Sequence, residues 1–132
     1  MTPERLVLDT NVVFDLLKKV PAVVQRFLTL LESQTQFLIS PLVVAEVYAE
    51  AFKREYKDIE AFFDLCQRIN MDADTGRMAG VYANLYAKAF QRISLEDYMM
   101  AATAKAHRCP LWTFNRKHYP MEDIELFTLR GF

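Results

Sequence analysis

"LVLDTNVV", residues 6–13, is the stretch on which the fold turns. Three apolar residues are followed by an acid, a hydroxyl and an amide at one point, and then Val12 and Val13 resume the apolar character. A short continuous apolar run of this kind reads as a buried strand over Arg5–Leu8. Thr10 or Asn11 can cap a helix beginning at about residue 12. Asp9 therefore stands where a strand gives way to a helix. Taken alone, it is either a plain cap or a group placed there for chemistry.

Outward from this point, residues 12–19 read as a helix, and Pro21 opens a second one to about residue 33. Residues 37–39 read as a second strand. Ser40-Pro41 is a helix start, because Ser supplies the cap and Pro sits where its missing N–H costs nothing; that helix is expected over residues 41–56. Two further helices are expected over 58–69 and 74–90. Ser94 starts another, "LEDYMMAATAKAH", whose small and apolar residues run nearly all the way round, the pattern of a helix enclosed on several sides. Pro110 ends it. Residues 111–114 and 124–129 read as the last two strands. Strands separated by helices imply an α/β fold: a parallel sheet sandwiched by helices in a three-layer α/β/α arrangement.

A chain of 132 residues that is 52% hydrophobic and 25% charged has the composition of one globular domain, not of a disordered chain or a fibre. Its net charge of -1 gives no overall attraction to nucleic acid or to an anionic membrane, so such binding requires a local patch. Cys66 and Cys109 have no zinc-site spacing and read as buried free thiols in a reducing compartment. The N-terminus lacks the features of a signal peptide, and no apolar stretch reaches membrane-span length. A cytoplasmic protein without a membrane partner is expected.

In a parallel sheet flanked by helices, ligands gather beyond the carboxyl ends of the strands. Asp9 falls there. Glu46, one turn into the helix that follows the second strand, reaches the same edge at the margin of the stripe Leu42, Ala45, Ala49 and Phe52; the alternative is a salt bridge to Lys53 or to a distant Arg. Asp97 lies in the first turn of the enclosed helix, where Ser94-x-x-Asp97 also reads as a capping box. Glu96 beside it reads as a solvated first-turn acid. Three carboxylates at one edge repel one another unless a cation sits among them. Oxygen donors suit Mg²⁺, with Mn²⁺ as the alternative, and such an ion supports hydrolysis of a phosphodiester by activated water.

These segments resemble the PIN-domain nucleases, and among them the VapC-type toxins of VapBC toxin–antitoxin pairs. The resemblance rests on "LVLDTNVV", "SPLVVAEVY" (40–48), "ISLEDYMMAATAKAH" (93–107) and "PLWTFNRKHY" (110–119), which occur in the family's order and span essentially the whole chain. It implies a single PIN domain over residues 1–132 in which Asp9, Glu46 and Asp97 form the acidic, metal-holding site. Thr10, Asn11 and Thr113 match its supporting polar positions. Asn115 falls where many relatives carry a fourth acid; an amide adds no charge, so a second ion is held less tightly and one well-held ion is expected. The resemblance also implies an RNA substrate, a homodimer and a VapB-like antitoxin whose C-terminal segment covers the cleft. Arg116 and Lys117 are the expected phosphate contacts, with His118, Arg92 and Arg108 as further options. His107 is expected only to complement its helix end. Tyr48, Phe52, Tyr56, Phe62, Phe63, Tyr82 and Tyr86 are expected in the core or an interface.

The expected activity is thus that of a Mg²⁺-dependent endoribonuclease acting as a toxin. An RNA-processing PIN nuclease without an antitoxin is the near alternative. A phosphotransfer domain with Asp9 as nucleophile is poorly supported, because Asn11 stands where such enzymes need a second acid. A non-catalytic PIN-like module is permitted by Asn115 and opposed by the three remaining acids.

Overall fold

β1 (Arg5–Leu8) lies at the centre of a five-stranded sheet, and the apolar residues Leu6, Val7 and Leu8 that mark it in the sequence are fully buried. The structure, a computed structural model, describes residues 2–129. Along the chain follow α1 (Thr10–Leu17), α2 (Pro21–Glu32), β2 (Gln36–Ile39), α3 (Pro41–Glu50), α4 (Tyr56–Phe63), β3 (Gln67–Arg68), α5 (Ala73–Tyr86), α6 (Leu95–His107), β4 (Leu111–Trp112) and β5 (Leu126–Phe127). Every strand pairing is parallel and the spatial order is β3-β2-β1-β4-β5. This is the expected helix-flanked parallel sheet. Parallel neighbours need crossover connections; helices supply them except between β4 and β5, where residues 113–125 carry only the 3-10 turn Arg116–His118.

The chain builds outward from β1 through β2 to β3, then returns to the other side of β1 with β4 and β5. A strand order that reverses direction at one point leaves a crevice beyond the carboxyl ends of the two strands on either side of it. Here those strands are β1 and β4, joined by the pairs Val7 with Leu111 and Leu8 with Trp112. Asp9 follows one and Thr113 the other.

The elements beside that crevice are fixed by local chemistry. Ser40, fully buried, caps α3 by accepting from the Val43 N–H, and Pro41 occupies the first turn. The enclosed helix of the sequence is α6, with Tyr98, Met100, Ala101, Ala102, Thr103 and Ala104 all buried. Its small residues let it approach the sheet closely, and it ends at His107, with Arg108 in the left-handed conformation before Pro110.

Several boundaries differ from expectation. The helix expected over 41–56 stops at Glu50, because Ala51 and Phe52 are extended and Lys53–Glu55 form a separate 3-10 turn held by the Glu55 side chain on the Phe52 N–H. Its buried face is Val43 and Val47; Ala45, Ala49 and Phe52 are exposed. The helix expected over 58–69 runs only Tyr56–Phe63 and is followed by the edge strand β3, whose two exposed residues give no alternation to read. The helix expected over 74–90 ends at Tyr86, and the strands expected over 111–114 and 124–129 are two residues each. Phe63 and Tyr82 are buried as expected, whereas Phe52 and Tyr56 are exposed. Both cysteines are free and only partly buried; burial pushes the Cys66 thiol up to about 12, which leaves it inert at neutral pH. Among the described residues, no helix is long and apolar enough to cross a membrane.

Candidate active site

Asp9 occupies the N-cap position of α1 and is 8% exposed. The backbone places it: its N–H donates to the Trp112 carbonyl at the end of β4. Its Oδ1 accepts from the Thr10 N–H at 2.8 Å, and its Oδ2 accepts from the Thr113 hydroxyl and the Tyr119 hydroxyl, each at 2.8 Å. Capping and site-building, which stand as alternatives in the sequence, coexist in this residue. The cap is Asp9 itself, neither Thr10 nor Asn11.

Thr113 is fully buried below the cleft and uses every bond a hydroxyl can make. It donates to Asp9 and accepts from the Asn115 N–H at 3.0 Å and the Asn11 amide at 3.5 Å. Asn11 also accepts from the Phe114 N–H, tying the first turn of α1 to the end of β4. These contacts hold Asp9 from two elements at once.

Glu46 is half-buried on α3, and its Oε1 accepts from the Thr10 hydroxyl at 2.9 Å. Among the described residues, Glu46 forms no salt bridge to Lys53 or to an Arg. Asp97 forms the capping box with Ser94: the Ser94 N–H donates to its Oδ2 at 3.1 Å, and Ser94 Oγ accepts from the Asp97 N–H. His118 Nδ1 lies 3.1 Å from the same Oδ2, and the Tyr119 hydroxyl 3.4 Å from Oδ1.

The three acids line one open cleft of about 520 Å³, together with Thr10, Asn11, Arg92, Glu96, Asn115 and His118. Burial lifts the Asp9 carboxyl above its usual range despite its three hydrogen bonds, and the charge of Asp97 adds to the rise. Glu46 is raised as well, first by burial and then by Asp9, Glu96 and Asp97, against the pull of its Thr10 bond. The carboxyl groups thus repel across shared space, and a cation would relieve that repulsion.

Among the described residues, no three His, Cys, Asp or Glu side chains lie close enough to form a ready-made metal cluster. The expected convergence is therefore met at the level of one cleft and not at the level of direct shared coordination. The donor set still fits a hard divalent ion. Mg²⁺ keeps several waters and is usually bound through one or two carboxylates, so it needs no all-protein cage.

Of the expected basic contacts, Arg92 lines the acidic cleft. Arg116 and Lys117 line a neighbouring cleft of about 300 Å³ with Phe114, Asn115 and His118, the last two belonging to both. Arg108 does not belong here: it lies at the other end of α6 with Arg5, Cys109 and Glu125. His107 bonds to the Thr103 carbonyl on its own helix, as expected. Glu96 is an exposed first-turn acid of α6, as expected, and stands at the edge of the cleft. Sequence reasoning missed Tyr119, which closes "PLWTFNRKHY" directly after the polar turn and carries no periodic signal of its own.

The PIN domain family model matches residues 6–123. The chain belongs to the PIN domain family. It is 31% identical over 114 residues to a protein of Mycobacterium tuberculosis named Ribonuclease VapC19, across 86% of this chain and 91% of that one. This PIN domain also superposes on VapBC2 from Rickettsia felis, solved bound to a DNA fragment from their promoter, with a TM-score of 0.81, 22% identity, and 94% and 98% of the two chains covered. DNA-bound VapBC from Salmonella typhimurium gives 0.80 at 20% identity, with 95% and 98% covered. FitAcB from Neisseria gonorrhoeae gives 0.73 at 24%, with 96% and 99% covered.

Proposed function

We propose that this PIN domain is a divalent-metal-dependent endoribonuclease that hydrolyses RNA phosphodiesters, and that it is the toxin of a type II toxin–antitoxin pair. The observation that carries the reading is the single cleft into which Asp9, Glu46 and Asp97 open with mutually repelling charges, at the point where the strand order reverses. The relative named as a ribonuclease supports the substrate class.

Asp9, Glu46 and Asp97 would hold the ion, directly or through its waters, with Mg²⁺ as the ion and Mn²⁺ as a substitute. When bound, such an ion lowers the pKa of water and offsets charge on a phosphoryl oxygen. The chain's own residues do the rest. Thr10 holds Glu46, Thr113, itself held by Asn11, holds Asp9, and Asn115 presents an uncharged amide that leaves a second ion weakly bound. Arg116 and Lys117, with Arg92 on the acidic cleft, meet the phosphates of a polyanion that the acids alone would repel.

A VapB-like antitoxin is the partner, as the neighbouring toxin–antitoxin complexes suggest. A homodimer would cover exposed apolar side chains such as Val81 and Leu85, which lie one turn apart on α5. The substrate places its work in the cytoplasm.

The test is cleavage of RNA by the purified chain with Mg²⁺, Mn²⁺ or EDTA. Cleavage with either ion and none in EDTA is expected, with activity lost in Asp9→Asn and in Asp97→Asn. Undiminished cleavage in EDTA or in Asp97→Asn overturns the reading. Absence of cleavage under every condition favours a non-catalytic binding module, which the local hydrogen bonding of each acid also suits.

A further inference from the structure

The Tyr119 hydroxyl is buried between two acids that come from opposite ends of the sequence. We propose that Tyr119 is a positioning residue, whose single hydroxyl proton holds Asp9 by Oδ2 and so leaves the acceptor capacity of its Oδ1 for an ion. The inference rests on Asp9 and Asp97 being an ion-holding pair.

The argument is one of donors and acceptors. A carboxylate offers about four acceptor sites on two oxygens. On Asp9, Oδ2 already takes two donors, Thr113 and Tyr119, while Oδ1 takes only the Thr10 N–H. The uncommitted acceptor of Asp9 is therefore on Oδ1. On Asp97, Oδ2 takes the Ser94 N–H and faces His118, while Oδ1 faces Tyr119 alone. The phenol has one proton for two carboxylates. The distances, 2.8 Å to Asp9 and 3.4 Å to Asp97, assign it to Asp9. Tyr119 thus fixes the Asp9 carboxylate through Oδ2 alone.

The anchoring is rigid. Tyr119 is 3% exposed and follows the 3-10 turn Arg116–His118, with its N–H on the Arg116 carbonyl. A charged base in the same place would compete with a cation for the acids. A phenol carries no charge at neutral pH, and this one donates to Asp9. Phe would keep the packing and lose the bond. Without it, Asp9 Oδ2 keeps only Thr113 as a side-chain donor, and the carboxylate is free to turn.

The experiment compares wild type and Tyr119→Phe by calorimetric titration with Mn²⁺ in the absence of RNA, beside thermal unfolding of both in EDTA. Groups that orient ligating carboxylates typically cost 10–100-fold in metal affinity when removed, so Mn²⁺ affinity is expected to fall about 10-fold or more in Tyr119→Phe. In EDTA the variant should still unfold cooperatively, at a somewhat lower temperature because a buried bond to Asp9 is lost while the ring remains. Equal Mn²⁺ affinity in the two proteins overturns the proposal, even if RNA cleavage is intact. A wild type that binds Mn²⁺ and a variant that binds it weakly support the proposal, even if neither cleaves RNA and the nuclease reading fails. A wild type that binds no Mn²⁺ overturns both.

Discussion

The Thr10 hydroxyl donates to Glu46 Oε1 at 2.9 Å, joining the first turn of α1 to the second turn of α3. Thr10 follows directly on Asp9, so this bond sets the position of one acid relative to another. Replacing Thr10 by Val keeps the shape and removes the donor. Because Glu46 is only half-buried, water takes up part of the loss, and a decrease of about 0.5–1 kcal/mol is expected in urea unfolding at neutral pH. Unchanged stability would show that the bond does not constrain the acid.

The raised carboxyl groups predict a pH dependence of definite sign in the metal-free protein. Asp9 and Glu46 bind a proton more tightly folded than unfolded. Their contribution to stability is fully present below the unfolded values, ordinarily 3.8 and 4.5, and is lost as pH rises through the raised folded values. Glu46→Gln removes one of the two titrations. Measured in EDTA by urea unfolding, the variant should gain on the wild type as pH climbs above 4.5. A difference that stays flat from pH 4 to 7 would contradict the repulsion argued here.

Arg116 and Lys117 make a prediction about salt. Each phosphate contact to a single strand contributes about 0.7 to the slope of log affinity against log salt. With cleavage blocked by EDTA, Arg116→Gln/Lys117→Gln should flatten that slope by about 1.4 for single-stranded RNA. An unchanged slope would place the RNA elsewhere.

Packing around α6 is tested at Ala101, which is fully buried. Ala101→Leu adds three carbons where there is no room, with an expected loss of about 1–3 kcal/mol. A stability equal to wild type would mean that α6 is less enclosed than described.

The parts of this fold that were legible in the sequence are those in which one residue type does one physical job. Leu6 to Leu8 announce a buried strand because a short unbroken apolar run, bounded at once by polar residues, suits a strand covered on both faces. Ser40-Pro41 announces α3, and the small residues of α6 announce its enclosure. The break after Glu50 was not legible, because Ala51 and Phe52 carry no Gly or Pro and the turn is held by Glu55 reaching back to a backbone N–H. β3 was hidden because Gln67 and Arg68 are exposed edge residues whose pairing is made entirely by backbone. At the site, Asp9, Glu46 and Asp97 could be placed at one sheet edge from strand and helix order alone. The tie through Tyr119 depends on where a 3-10 turn delivers its side chain, which no period or spacing encodes.

The central claim, that Asp9, Glu46 and Asp97 share one divalent ion, is tested most directly by crystals soaked in Mn²⁺ and an anomalous difference map. One peak is predicted in the cleft bounded by these three side chains. A well-ordered cleft without a peak, or manganese bound only at other sites, would contradict it.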